Sequence, residues 1–350
     1  PKTEKRIMPL QVEIWQEHLV GGIFAANPHM DKCVNADQYV LKGKVVHIPQ
    51  AGAAPKAVKN RTDLPAKVVR RKDTDITYTL DEITTDPVHI PDADQCELSY
   101  DKRASVLTET QNALNELAGD LMLYNWAPPA SRIIRTSGEA VPAHMGIGSR
   151  LKFTTKDLKR AQKQFNKDGV PTTDRYIMLD ADMEDQFTDS LTETQARDFS
   201  RAYDEKNGVI GKLYGFTFLS RAYVLSYLGM GAVEKAEEFA AATCAAALCW
   251  HKDSVEGAKG DVKLFDDEGN PLYYGDIYSF LLRLGGRIRR ADNKGVLAIV
   301  QGMPSEAWAA GKAYKEGDFV TSGDLLYICV EDHTASAAFA TDEAKWEVVE

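Results

Sequence analysis

Residues 74–91 read TDITYTLDEITTDPVHIP. Within this stretch Ile76, Tyr78 and Leu80 alternate with polar residues, and a period of two predicts a half-buried β-strand over residues 75–83. A second β-rich run precedes it at residues 44–48. The two runs together predict a long hairpin, with the segment between them as its tip.

The tip of this hairpin reads AGAAPKAVKNRTDLPA over residues 51–66. Residues 42–72 hold nine basic residues against one acid, a net charge of +8. Because the tip has too little apolar surface to pack on its own chain, it is either a loose surface insertion or a contact with a neighbouring subunit. We predict the contact, made by seven basic side chains of the tip and of the loop residues that follow it: Lys56, Lys59, Arg61, Lys67, Arg70, Arg71 and Lys72.

The segment after the hairpin predicts a helix over residues 102–126. Its apolar stripe recurs at steps of three and four and is followed by Pro128 and Pro129; it consists of Leu107, Thr110, Leu114, Leu117, Leu121 and Tyr124. Further patterns predict helices at 154–165 and 193–205, strands at 175–179, 275–290 and 295–300, a strand closing on a tight turn within 208–225, and a core element at 240–250. The mixture lacks a repeating βαβ rhythm and predicts an α+β fold.

Composition excludes several classes of protein. The 350 residues are 44% hydrophobic and 27% charged, as in an ordinary globular protein. No apolar run of about 20 residues and no secretory signal is seen, so we expect synthesis in the cytoplasm and no contact with a membrane. The five cysteines are scattered, which argues against a disulfide framework or a zinc site.

Motifs of the common catalytic classes are missing. The acids at residues 180–189 do not fit a calcium-binding loop, and we expect a solvated acidic turn there. The histidines stand singly, and no phosphate-binding glycine loop or nucleophile elbow is present. The sequence therefore predicts a protein that is not an enzyme and has no metal or cofactor.

Several phrases resemble the Hong Kong 97-type fold of tailed-bacteriophage major capsid proteins. Residues 74–91 followed by ELSYDKRASVL (97–107) are similar to that family's extended loop and spine helix, and RYIMLDADMEDQF (175–187) and GVIGKLYGFTFLSRAYVL (208–225) are similar to its axial domain. The resemblance covers residues 7–301. It implies an N-terminal arm (1–40), an extended loop (41–91), a spine helix and peripheral domain (92–155), an axial domain (156–255) and a return to the peripheral domain (256–303).

The resemblance also implies a function. Copies of the chain would form pentamers and hexamers and assemble into an icosahedral head that encloses the DNA genome, after synthesis in the cytoplasm of the bacterial host. Portal and scaffolding proteins are the implied partners. The protein would contact the packaged DNA only non-specifically. An encapsulin-like nanocompartment shell protein, which shares the fold, is the alternative.

Residues 304–350, the C-terminal module, form a separate acidic segment with three lysines and ten acids, a net charge of −7. The segment resembles small, all-β chitin-binding-type carbohydrate modules, although residues 328–334 lack the tryptophans that such modules carry there. Its aromatic cluster would be either a minimal core or a ligand site: Trp308, Tyr314, Tyr327 and Trp346. The implied role is an exposed decoration that stabilises the shell or touches host-surface glycans. A secreted carbohydrate-binding protein is the alternative.

Overall fold

The computed structural model describes residues 27–41, 45–50, 59–60, 74–91, 102–236, 238–323 and 325–349. Its α-helices are α1 (Lys102–Asn125), α2 (Thr155–Lys167), α3 (Ala181–Asp189) and α4 (Glu193–Ser200). Most of the predicted N-terminal arm lies outside the described residues. None of the described helices is long and apolar enough to cross a membrane.

Short strands dominate the described chain. In order they are β1 (Val34–Asn35), β2 (Val40–Leu41), β3 (Val45–Gln50), β4 (Thr74–Thr79), β5 (Asp81–Thr84), β6 (Val88–Pro91), β7 (Ile133–Arg135), β8 (Ala140–Pro142), β9 (Ser149–Leu151), β10 (Arg175–Leu179), β11 (Val209–Leu213), β12 (Phe216–Ser220), β13 (Leu225–Leu228), β14 (Gly231–Val233), β15 (Cys244–His251), β16 (Val255–Asn270), β17 (Gly275–Ile288), β18 (Val296–Val300), β19 (Ser305–Ala307), β20 (Ala313–Tyr314), β21 (Phe319–Ser322), β22 (Leu325–Cys329), β23 (His333–Thr334) and β24 (Trp346–Val348).

These elements fall into two compact units. The described part of the first unit lies within Asn35–Val106 and Gly257–Gly285. The second unit lies within Glu17–Val34, Leu107–Glu256 and Gly286–Glu350, and so includes the C-terminal module.

The first unit contains the predicted hairpin. β3 and β4 are antiparallel, with Val45 opposite Thr79 and Gln50 opposite Thr74, which confirms that the two β-rich runs pair. β2 extends this pair to three strands. A second sheet has the order β1-β16-β17-β5, with β6 also paired to β17. Val46 and Leu80 are buried in a small core with Ala36 and Ala258.

The single strand predicted over residues 75–83 is wrong, because the chain forms two strands there. β4 ends at Thr79 and pairs with β3, whereas β5 begins at Asp81 and pairs with β17, where Ile83 lies opposite Leu282. Leu80 and Ile83 are both buried and the two residues between them are exposed. The alternation therefore shifts by one residue at Leu80, where the chain passes from one sheet to the other.

β16 and β17 form a long ribbon in the first unit. They span 16 and 14 residues. The sequence predicts β17 but not β16, because VEGAKGDVKLFDDEGN is acidic and glycine-rich and shows little alternation. β16 is therefore ordered by its pairing with β17 and not by its own sequence pattern.

The second unit is built on an eight-stranded sheet. β10 lies between β12, to which it is parallel, and β15, to which it is antiparallel. β15 is buried along its whole length, which confirms the core element predicted at residues 240–250. β18 pairs with β15 and with β7. The sheet thus contains strands from three segments predicted from the sequence: the peripheral domain (92–155), the axial domain (156–255) and the return to the peripheral domain (256–303). The boundaries of these segments stay a prediction.

Helices α2, α3 and α4 pack on one face of this sheet. Leu158, Phe187 and Phe199, one from each helix, are buried against the apolar residues of the strands. α2 begins as predicted, with Thr154 and Asp157 forming a reciprocal cap. α4 ends at Ser200, earlier than predicted.

The acidic turn predicted at residues 180–189 is wrong. Asp180 is buried and its carboxylate accepts a 2.6 Å hydrogen bond from the amide of Met183. This bond caps the N-terminus of α3, where negative charge is favourable. The residues that suggested a solvated turn therefore begin a helix.

Helix α1 has the predicted length but not the predicted buried stripe. Leu117 is 51% exposed, and Leu121 and Tyr124 are only half-buried. Leu114 of that stripe is buried, and the other buried residues of α1 and its end are Ala118, Gly119, Asp120, Met122, Leu123 and Trp126. This set is wider than one stripe, so the C-terminal half of the helix is covered on more than one side.

Candidate interaction surfaces

The seven basic residues predicted to contact a neighbouring subunit fall mostly outside the described residues. Lys56, Arg61, Lys67, Arg70, Arg71 and Lys72 all lie there. Lys59 is described, in an exposed turn with Asn60. Their contact with a neighbouring subunit stays a prediction.

The first unit exposes a second surface, at the end of the β16–β17 ribbon. Residues 271–274, the ribbon tip, join the two strands. Leu272 is 82% exposed and Tyr274 is 79% exposed, and Tyr273 and Phe265 are also exposed. Large apolar side chains that are exposed together commonly mark a contact with another protein.

Acidic residues surround the ribbon tip. Asp266, Asp267 and Asp276 lie on the strands beside it, and the amide of Gly269 donates a 2.9 Å hydrogen bond to Asp276. Sequence analysis missed this surface, although NPLYYG at residues 270–275 places apolar residues within a turn signal.

The four predicted aromatic residues of the C-terminal module come together. Tyr314 and Trp346 are buried, with ring centroids 5.2 Å apart, while Trp308 and Tyr327 are half-buried and pack against the same cluster. Phe339, which the sequence analysis missed, lies at the centre. Its ring is 4.6 Å from that of Tyr327 and 5.8 Å from that of Trp308.

A four-stranded sheet in the order β19-β21-β22-β24 carries this cluster on one face. Val320 and Cys329 point into it. The other face presents four apolar residues, the docking face: Phe319, Leu326, Ile328 and Val349. Phe319 and Ile328 are directly opposite each other in the register.

The docking face packs on the body of the second unit. It contacts Ile147, Ala241, Ala242 and Met303 in one apolar cluster. Beside this cluster the guanidinium of Arg150 lies 4.9 Å from the ring centroid of Phe319. At this separation the cation is attracted to the face of the ring.

Arg150 is fully buried and holds two loops of the body together. Its Nη1 donates hydrogen bonds of 2.9 and 3.0 Å to the carbonyl oxygens of Ile147 and Ser149. Its Nη2 donates to the carbonyl oxygens of Ala241 and Thr243, at 3.0 and 2.8 Å. Among the described residues, no carboxylate lies within ion-pair distance of Arg150. Carbonyl dipoles and an aromatic ring therefore replace a counter-ion.

Two histidines of the second unit have shifted pKa values in opposite directions. Burial and the positive charge of Arg221 lower the pKa of His29 to about 3, and a hydrogen bond with the backbone of Gly119 opposes them only weakly. Burial also acts to lower the pKa of His144, but a 3.0 Å hydrogen bond with Asp180 and the charges of Asp180 and Asp182 outweigh it and raise that pKa. In the parts of the chain that are described, no cluster of His, Cys, Asp or Glu could hold a metal ion.

Comparisons with known proteins agree with this architecture. No curated protein matches the sequence of the chain. Residues 307–347 match the model of carbohydrate-binding module family 5/12.

Solved phage capsids have a similar fold. The capsid of Ralstonia phage GP4 is 12% identical, with a TM-score of 0.58 over 77% of this chain and 87% of that one. The capsid of cyanophage P-SCSP1u is 17% identical, with a TM-score of 0.52 over 77% and 85%. The head of Helicobacter pylori bacteriophage KHP40 is 10% identical, with a TM-score of 0.53 over 79% and 90%.

These similarities confirm the Hong Kong 97-type capsid fold that residues 74–91, 97–107, 175–187 and 208–225 predict. The model of the phage capsid protein family matches residues 29–263, about two thirds of the sequence. The chain belongs to the phage capsid protein family.

Proposed function

We propose that this chain is the major capsid protein of a tailed bacteriophage, and that its copies assemble as pentamers and hexamers into the icosahedral head that encloses the DNA genome. The observation that carries the proposal is the family match over residues 29–263, together with a capsid fold over most of the chain. Neither alternative, a secreted carbohydrate-binding protein or an encapsulin-like shell, draws support from the family match.

Electron microscopy of the purified protein tests this proposal. We expect closed icosahedral particles when the chain is expressed in bacteria, alone or with a scaffolding protein of its phage. A protein that stays monomeric at high concentration under both conditions would contradict it.

The role is structural and not enzymatic. Contacts between subunits are assigned to the basic extended loop, which would lie on a neighbouring copy, and to the exposed ribbon tip. Opposite charges at such contacts favour the correct orientation of subunits more than they add affinity. Portal and scaffolding proteins are the further partners, DNA is contacted without sequence preference, and synthesis takes place in the host cytoplasm.

The C-terminal module is proposed to be an exposed interaction module of the head. Its match to carbohydrate-binding module family 5/12 favours host-surface glycans as the ligand, with the half-buried rings of Trp308 and Tyr327 as the stacking groups. The absence of tryptophan from residues 328–334 weighs against tight binding.

Titration with N-acetylglucosamine oligomers, followed by tryptophan fluorescence, tests this assignment. We expect saturable quenching that is weakened in Tyr327→Ala. A signal that does not change up to millimolar sugar would remove glycans from the list of partners and leave the capsid assignment untouched.

A further inference from the structure

No free linker separates the C-terminal module from the body of the second unit. β18 ends at Val300 and β19 begins at Ser305, which leaves residues 301–304 as the connection. Gln301 and Gly302 are buried. The amide of Gln301 donates to the carbonyl of Ala245 at 2.9 Å, and the amide of Gly302 donates to the hydroxyl of Thr136 at 2.8 Å. The path of the chain into the module is therefore fixed.

The sheet of the module is a layer shared by two cores. Successive residues of a strand point to opposite faces. Phe319 and Ile328 face the body, whereas their neighbours Val320 and Cys329 face the aromatic cluster. All four are buried. A module that moved away from the body would expose Phe319 and Ile328, and each large apolar side chain brought into water costs about 1.5 to 3 kcal/mol.

Three of the four body residues under the docking face, Ile147, Ala241 and Ala242, belong to two loops without regular structure, and the fourth, Met303, lies in the connection to the module. The first is the loop at residues 143–148, and the second is the turn at residues 240–243. The amide of Ile147 donates a 2.9 Å hydrogen bond to the carbonyl of Ala241, and Arg150 bonds to both segments. The ring of Phe319 covers the guanidinium that joins them.

We infer that the C-terminal module is a brace of the capsid subunit, which holds the loop at residues 143–148 against the turn at residues 240–243. This role goes beyond the proposed function and requires neither sugar binding nor shell assembly. Its consequence is a reciprocal coupling: loss of the docking contact loosens the two loops, and loss of the loop contacts loosens the module.

Hydrogen exchange on the purified, unassembled full-length chain tests the first half of this coupling. Ile328→Ser removes a fully buried residue of the docking face, and Val348→Ser is the matched control, because Val348 lies on the neighbouring strand and is 56% exposed. We expect peptides covering residues 143–151 and 239–245 to exchange at least tenfold faster in Ile328→Ser and at the wild-type rate in Val348→Ser. Faster exchange confined to residues 305–349 would overturn the inference.

The second half of the coupling is tested from the body. Arg150→Gln removes the contact with Phe319, and Arg175→Gln is the matched control. Arg175 is equally buried in the same unit but donates to Val170 and Pro171. We expect peptides covering residues 317–330 to exchange faster in Arg150→Gln than in Arg175→Gln. Equal rates in the two variants would overturn the inference, even if Ile328→Ser did not fold.

Discussion

Gly148 and Gly317 meet backbone to backbone where the C-terminal module contacts the body. A Cβ atom on Gly148 would lie 2.1 Å from the carbonyl oxygen of Gly317, and one on Gly317 would lie 2.5 Å from the Cα atom of Gly148. Both residues also have positive φ angles, of 79° and 89°. Each position therefore requires glycine for two reasons: the backbone has a positive φ angle, and no space is left for a Cβ atom.

Alanine at either position should destabilise the chain by more than the cost of its backbone conformation. A non-glycine residue with positive φ costs about 1 to 2 kcal/mol. The clash should add about 1 to 3 kcal/mol, as overpacking does elsewhere. Urea unfolding of Gly148→Ala and Gly317→Ala measures the total.

Two other glycines separate these contributions. Gly169 in the body and Gly311 in the module have φ angles of 68° and 76°, and a Cβ atom on either would have no neighbour within 4 Å. Alanine at these positions should show the conformational cost alone. Equal losses in Gly148→Ala and Gly169→Ala would show that the two backbones do not need to approach so closely.

The low pKa of His29 should make the chain less stable in acid. The unfolded histidine takes up a proton below about pH 6.5, whereas the folded one stays neutral to about pH 3. Stability from this residue is thus present above pH 6.5 and is lost as the pH falls, by at most about 1.4 kcal/mol per pH unit. His29→Gln should flatten the dependence of unfolding free energy on pH between 6.5 and 4.5. An unchanged slope would contradict the assignment.

The raised pKa of His144 predicts the opposite dependence. Its bond to Asp180 stabilises the fold most when the imidazole is charged, so its contribution is complete below pH 6.5 and declines as the pH rises through the raised value. The charged groups that face His144 are Asp180, Asp182 and Arg150. His144→Gln should therefore lose more stability at pH 6 than at pH 9, measured by urea unfolding. A larger loss at pH 9 would refute the prediction.

Much of the fold could be predicted because local signals agree with it. The alternation around Ile76 and Tyr78, the cap at Thr154 and the apolar run of β15 each specify an element on their own. The two failures have different causes. β16 is ordered by pairing and not by its own pattern, and Asp180 is acidic yet buried because it caps a helix. Tertiary pairing decides the first, whereas the cap formed by Asp180 is a local contact with Met183 that the sequence analysis missed.

Of the candidate sites in the C-terminal module, the aromatic cluster was predicted and the docking face was not. Aromatic residues in a short acidic module identify its cluster, but the docking face consists of ordinary strand residues. A signal for it was present. LLYIC at residues 325–329 has no polar position on either face, which is typical of a strand covered on both sides. Only the structure shows that the body covers the second face.

The ribbon tip should matter for assembly and not for the stability of the subunit. Leu272 and Tyr274 are almost fully exposed, so Leu272→Ser with Tyr274→Ser should change the unfolding free energy by no more than about 0.5 kcal/mol. If the tip contacts another subunit, the same variant should lower the yield of particles in sedimentation. Tyr203→Ser is the control, because Tyr203 is 63% exposed on the second unit. Equal particle yields in the two variants would assign the tip no role in assembly.

Changes in the basic extended loop test whether that loop forms a contact between neighbouring subunits. Deletion of residues 53–64 removes most of a tip that has few large apolar side chains, so the subunit should stay soluble and folded but should not form shells. A second variant keeps the length and removes charge, with Lys56, Lys59 and Arg61 replaced by Gln. If charge orients the contact, this variant should assemble more slowly and respond less to salt than the wild type. Size-exclusion chromatography and electron microscopy measure both effects. Particles of normal size and yield from the deletion would show that the loop is not a contact between subunits, and the basic residues would then need another role.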